Sequence, residues 1–162
     1  MAELNDIYNA RIMELAAGIS KGVRLAAPQA SATAHSKLCG STVSVDVVMA
    51  QGRVSDFGQT VKACLLGQAA ASVMAAHIVG TTPDDIRAVG RVMRAMLKQG
   101  GPPPAGRWAD LAVLEPVRAV KGRHASTLLI FDAVEDAIAQ IEAEIEAQVA
   151  VEAEIEVKAP VL

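Results

Sequence analysis

The sequence predicts an α+β domain in which a small antiparallel sheet of about three strands packs against several helices. Three observations carry this. Residues 42–61 are rich in β-branched groups in alternation, with a glycine turn at Gln51-Gly52-Arg53, the pattern of a β-hairpin. From Cys64 onward the apolar residues recur at helical spacing, in blocks separated by glycine and proline. Strands and helices therefore fall in separate parts of the chain, which is the order of an α+β fold and not of an alternating one.

Each element follows from local chemistry. Leu4, Ile7, Tyr8, Ile12, Leu15 and Ile19 lie on one helical face, so a helix is expected over Leu4–Ile19, closed by Gly18 and Gly22. Thr42–Ala50 alternates Val43, Val45 and Val47 with Ser44 and Asp46, as a half-buried strand does, and Asp46 is expected on the solvent or polar rim. Val54–Val61 is its partner. A two-stranded hairpin is marginal alone, so a third strand is expected in Ala30–Leu38. Cys64–Val79 is an alanine-rich helix stopped by Gly80. Thr82-Pro83-Asp84-Asp85 supplies a cap, a first-turn proline and first-turn acids for a helix reaching Gln99. Gly100–Gly106, with Pro102, Pro103 and Pro104, is a stiff connector. A short helix is expected over Ala109–Leu114, interrupted near Pro116, and a last helix from Ser126 through Ile141. The organisation expected is one domain over residues 1–141 and an acidic tail over 142–162, partly helical or disordered, with Val149–Leu162 read as frayed or disordered.

Composition narrows the function classes. The chain has 162 residues, 52% of them hydrophobic but only 2% aromatic, so the core must be built from aliphatic side chains and methionine. A net charge of −3 gives no basic footprint for nucleic acid. No apolar run is long enough for a membrane span, and Met1–Tyr8 lacks the basic and apolar regions of a signal peptide. The expected location is the cytoplasm.

Two cysteines, Cys39 and Cys64, are too few for a disulfide framework. Each sits just outside a regular element. Cys39 precedes Gly40, which permits a sharp backbone turn, and Cys64 opens a helix, where backbone N–H groups favour a thiolate. Together they suit a soft metal or the acceptance of sulfur. Burial in the core is the competing reading, because free cysteine is among the most buried residue types. His35 and His124 lie close in sequence to Cys39 and Ser126 and are candidate nitrogen ligands, although surface or capping roles are common for single histidines. His77 reads as a surface or packing residue, and Ser126 as a helix N-cap.

The stretch Ser36-Lys37-Leu38-Cys39-Gly40-Ser41, the hairpin, and Val61-Lys62-Ala63-Cys64-Leu65-Leu66-Gly67-Gln68-Ala69-Ala70-Ala71-Ser72 together resemble the NifU/IscU/SufU-type iron–sulfur cluster assembly scaffolds. That family has Cys-Gly-Asp before a hairpin and a second cysteine opening a small-residue helix. Arg123-His124-Ala125-Ser126 is similar to its third site, where a cysteine opens the last helix. The long span between Cys64 and Ser126 resembles the SufU branch most. Two departures stand out: Ser41 replaces the aspartate and Ser126 replaces the third cysteine.

The resemblance implies a SufE/NifU-like fold and a carrier that is not an enzyme, binding iron or an iron–sulfur cluster, or accepting sulfur, through Cys39 and Cys64. A sulfurtransferase-like role without metal is a variant of the same idea. Zinc is a further candidate, and His35 and His124 are the substitute ligands that would complete a Cys2His2 set. The implied partners are a cysteine desulfurase and recipient apo-proteins, with no nucleic acid and no membrane. The rival reading is a metal-free adaptor that docks on or regulates the desulfurase.

Overall fold

The structure is a computed structural model that describes residues 9–19 and 23–158. Within them the order is α1 (Ala10–Ala17), β1 (Ala30–His35), β2 (Thr42–Ala50), β3 (Arg53–Lys62), α2 (Leu65–His77), α3 (Pro83–Gln99), a 3-10 segment (Gly106–Ala119), a 3-10 turn (Lys121–Arg123) and α4 (His124–Lys158). The expected first helix is present over Ala10–Ala17, with Asn9 as its cap; Leu4 to Tyr8 lie outside the described residues.

The three strands form one antiparallel sheet in the order β1-β2-β3. Gln51 and Gly52 have φ of +55° and +76°, and Ala50 pairs with Arg53. That is the two-residue hairpin whose positive φ angles match strand twist. Val43, Val45 and Val47 are fully buried on one face of β2. α4 packs against β1 and β2 as well as α2 and α3. Its residues Leu128, Leu129, Ile130 and Phe131 are all buried, so this stretch is apolar all round, as a helix threaded through a core must be. Lying at the centre, it fixes where its own first turn meets α2.

α3 is amphipathic, burying Ile86, Val89, Met93, Met96 and Leu97, and the Thr82–Asp85 capping box forms as the sequence indicates. Two expectations change beyond it. In place of a short helix broken near Pro116, a 3-10 segment runs through Pro116. Its buried residues, Trp108, Leu111, Leu114 and Val117, recur every third position, the repeat of a 3-10 turn. The stretch beyond Val149, expected to be frayed, continues α4 as an exposed helix to Lys158. No helix among the described residues is long and apolar enough to cross a membrane.

Asp46 also departs from expectation. It is 1% exposed, on the sheet face opposite the valines. The segment Val23–Leu25 crosses this face: Gln59 N–H donates to the Val23 carbonyl at 3.0 Å. Asp46 accepts two bonds from the Arg24 guanidinium (2.6 and 2.7 Å), one from the Leu25 N–H (3.0 Å) and one from the Ser31 hydroxyl (2.6 Å). Gly58 is opposite Asp46 in the register, and a Cβ there would stand 2.7 Å from the Val23 carbonyl oxygen. The missing side chain lets the crossing segment reach its carboxylate. Alternation alone misled here, because a second layer of chain covers part of the outer face.

Candidate functional site

The loop between β1 and β2 places Cys39. Ser36 N–H donates to the Ser41 carbonyl and Gly40 N–H to the Ser36 carbonyl, both at 2.9 Å, closing the loop tightly. Gly40 has φ +71°, the left-handed conformation that glycine tolerates best. Cys39 is thereby held at the exposed tip, while Ser36 and Ser41 are buried beneath it. Its sulfur lies 2.9 Å from the Ser41 Oγ and 3.6 Å from the Ser36 Oγ.

These hydroxyls change the thiol. The hydrogen bond with Ser41, then that with Ser36, and also contacts to the Ser41 backbone and the Ser126 hydroxyl, stabilise a thiolate and lower the Cys39 pKa from 9.0 to about 7. The rate of Cys39 alkylation by iodoacetamide is therefore expected to rise with a midpoint near pH 7. Ser41→Ala should move that midpoint upward, toward the ordinary thiol value. An unchanged midpoint would assign the activation to another group.

Cys64 is the N-cap residue of α2, half-buried, with no side-chain capping bond. Its sulfur is 3.4 Å from the Ser126 Oγ. Ser126 is 1% exposed in the first turn of α4 and donates to the Arg123 carbonyl at 3.3 Å, so it sits inside the helix instead of capping it. Thr42 pairs with Lys62 in the sheet, so the loop that carries Cys39 and the helix start that carries Cys64 leave the same end of it, where α4 brings Ser126 against Cys64.

Gly67 makes the meeting of α2 and α4 possible. A Cβ at this position would stand 2.8 Å from the Ala63 Cβ and 3.0 Å from the Ser126 carbonyl oxygen. Neither Gly67 nor Ser36 was marked as functional by sequence reasoning. The signal for Gly67 was its position in the small-residue stretch, one helical turn after Cys64; Ser36 had no signal beyond nearness to Cys39.

The histidines lie elsewhere. The His124 Nε2 is within 3.0 Å of the Val117 carbonyl and 3.2 Å of the Arg118 carbonyl, so it carries the proton and donates into the 3-10 segment. Its ring lines a shallow depression with Lys98 and Lys121. The His35 Nδ1 bonds the Thr42 hydroxyl on the exposed end of the sheet. Among the described residues no three or more His, Cys, Asp or Glu side chains are grouped to hold a metal, so the Cys2His2 set is not assembled in this geometry. His77, expected to be a surface or packing residue, lays its ring edge-on against Trp108.

No family model and no curated protein matches the sequence. Solved structures do. The N-terminal part of a nitrogen-fixing NifU-like protein from Brucella abortus is 56% identical, over 86% of this chain and 97% of that one, with a TM-score of 0.85. A SUF-system protein from Fervidobacterium islandicum AW-1, described as an iron–sulfur cluster assembly scaffold candidate, is 18% identical over 84% of this chain and 99% of its own, with a TM-score of 0.76. At that identity the second likeness speaks for the fold alone, while the first establishes the family.

Proposed function

The chain belongs to the NifU-like family, and from that premise we propose that it is an iron–sulfur cluster assembly scaffold that receives sulfur and iron at Cys39 and Cys64. The observation that carries this is the exit of both thiol-bearing segments from one end of the sheet, where Thr42 pairs with Lys62, with the Cys64 sulfur 3.4 Å from the Ser126 hydroxyl. Its task is carriage of cargo and not turnover of a small substrate. The supplying partner would be a cysteine desulfurase, and the receivers would be apo-proteins.

The donor set shapes what the site holds. A [2Fe–2S] cluster takes four good ligands. This chain offers two thiolates, and the hydroxyls of Ser41 and Ser126 are poor donors to soft metals. A cluster held by two protein sulfurs needs its other ligands from outside this pair and is correspondingly easy to release. Sulfur acceptance is the step these residues serve best: Cys39 is exposed, and the hydroxyls around it favour the nucleophilic thiolate.

Anaerobic incubation with a cysteine desulfurase, cysteine and ferrous iron tests the reading. The chain should gain sulfur on its cysteines, detected by intact mass, together with iron and acid-labile sulfide. Cys39→Ser and Cys64→Ser should each lose most of the iron and sulfide. If the chain binds the desulfurase but takes up neither sulfur nor iron, the metal-free adaptor is the correct account.

A further inference from the structure

We propose that Cys39 and Cys64 act in sequence to reduce carried sulfur, Cys39 taking it as a persulfide and Cys64 expelling it as sulfide. The idea rests on the scaffold reading above and adds an activity to it. Cluster assembly consumes sulfide, whereas a persulfide carries sulfur two electrons more oxidised. A pair of thiols within reach of each other holds those two electrons.

The asymmetry of the pair supports the division of labour. Cys39 is exposed at a loop tip, where a donor protein can present its sulfur. Cys64 is half-buried, anchored at the start of α2, with its sulfur 3.4 Å from the Ser126 hydroxyl. Thr42 pairs with Lys62, so the loop bearing Cys39 and the helix start bearing Cys64 lie at the same end of the sheet. Among the described residues the side chains hydrogen-bonded to the two sulfurs are hydroxyls: Ser36 and Ser41 at Cys39, and Ser126 at Cys64. Hydroxyls donate to an anionic persulfide without adding charge. A carboxylate at residue 41 would repel that anion and favour a metal instead.

In the first step the Cys39 thiolate attacks the outer sulfur of the donor persulfide. The donor S–S bond breaks, the donor leaves as a thiolate, and Cys39 carries the S–SH group with no net oxidation. In the second step the Cys64 thiolate attacks the inner sulfur of that group. The bond to the outer sulfur breaks, and hydrosulfide departs with the electron pair. A Cys39–Cys64 disulfide forms, and the proton lost from Cys64 passes to solvent. The two cysteines are oxidised by two electrons, and the outer sulfur is reduced by two. An external dithiol then restores the pair.

The test loads the reduced full chain anaerobically with glutathione persulfide at one equivalent, removes the excess, and traps released sulfide with monobromobimane. The expected result is about one sulfide per chain, with a mass loss of two hydrogens that peptide mapping places between Cys39 and Cys64. Cys64→Ser should keep the persulfide on Cys39 and release sulfide at least tenfold more slowly. Cys64→Ala, with its melting curve recorded beside it, separates loss of the thiol from loss of the fold. Persistent persulfide in the native chain, or equal sulfide release from Cys64→Ser, overturns the proposal. If that persistent persulfide becomes acid-labile sulfide when ferrous iron and an external reductant are added, the scaffold reading stands without the resolving role. A chain that takes up no sulfur at all sinks both.

Discussion

Replacing Asp46 with alanine is expected to destabilise the fold by about 2–3 kcal/mol at neutral pH and to remove a distinct part of its acid sensitivity. The carboxylate is buried and accepts from Arg24, Leu25 and Ser31. Its removal leaves the Ser31 hydroxyl and the Leu25 N–H without their acceptor under the crossing segment. Arg24 itself is 44% exposed and can turn to water, which keeps the loss below that of a fully buried ion pair. The Arg24 guanidinium first, then the Ser31 hydroxyl and the Leu25 N–H, overcome the cost of burial and hold the Asp46 pKa at about 2, against 3.8 for a free side chain. A carboxylate depressed in the folded state contributes stability above its unfolded pKa and loses it as pH falls through the folded value. That contribution, about 2 kcal/mol, therefore disappears between about pH 4 and pH 2. Urea unfolding of the native chain, Asp46→Ala and Asp46→Asn from pH 7 to pH 2.5 checks this. Both variants should show a shallower loss of stability over the acid range. An acid slope equal to that of the native chain would mean that Asp46 contributes nothing to it.

The second large effect is on the site and not on stability. Gly67→Ala adds a methyl group that meets the Ala63 side chain at 2.8 Å and the Ser126 carbonyl at 3.0 Å. Alanine is the better helix former by about 1 kcal/mol, and overpacking costs about 1–3 kcal/mol, so the two partly offset and the melting temperature should fall only modestly. Backbone cannot rotate away as a side chain can, so the relief must come from separation of α2 and the first turn of α4. That widens the 3.4 Å gap between the Cys64 sulfur and the Ser126 oxygen. We expect sulfur and iron uptake to drop tenfold or more while the far-ultraviolet circular dichroism is unchanged. Gly67→Val should lower uptake further and the melting temperature with it. Full uptake by Gly67→Ala would show that close contact between these helices is not needed at the site.

Much of this was legible in the residues. Val43, Val45 and Val47 in alternation, the glycine turn after Ala50, and the Thr82–Asp85 cap each express a preference that acts over a few positions, and each element formed where expected. The positions of Cys39 and Cys64 just outside regular elements were likewise local facts. Where a local pattern had two meanings, sequence reasoning chose the commoner one. Trp108, Leu111, Leu114 and Val117 recur in threes, but a 14-residue 3-10 segment is uncommon, and the proline at 116 suggested a break.

What the sequence by itself determined was the strands and the helices up to Gln99, the α+β class, and two thiols at element ends. What only the tertiary structure decided was which groups meet: Ser126 with Cys64, Ser36 beneath Cys39, Gly67 against α4, and Asp46 beneath Val23–Leu25. The reason is physical. Secondary structure follows from side-chain sterics and hydrogen bonds within a few residues, so its signals are written close together. A meeting between Cys64 and Ser126, 62 residues apart, is set by how the central stretch of α4 fills the core, and that depends on every buried side chain at once.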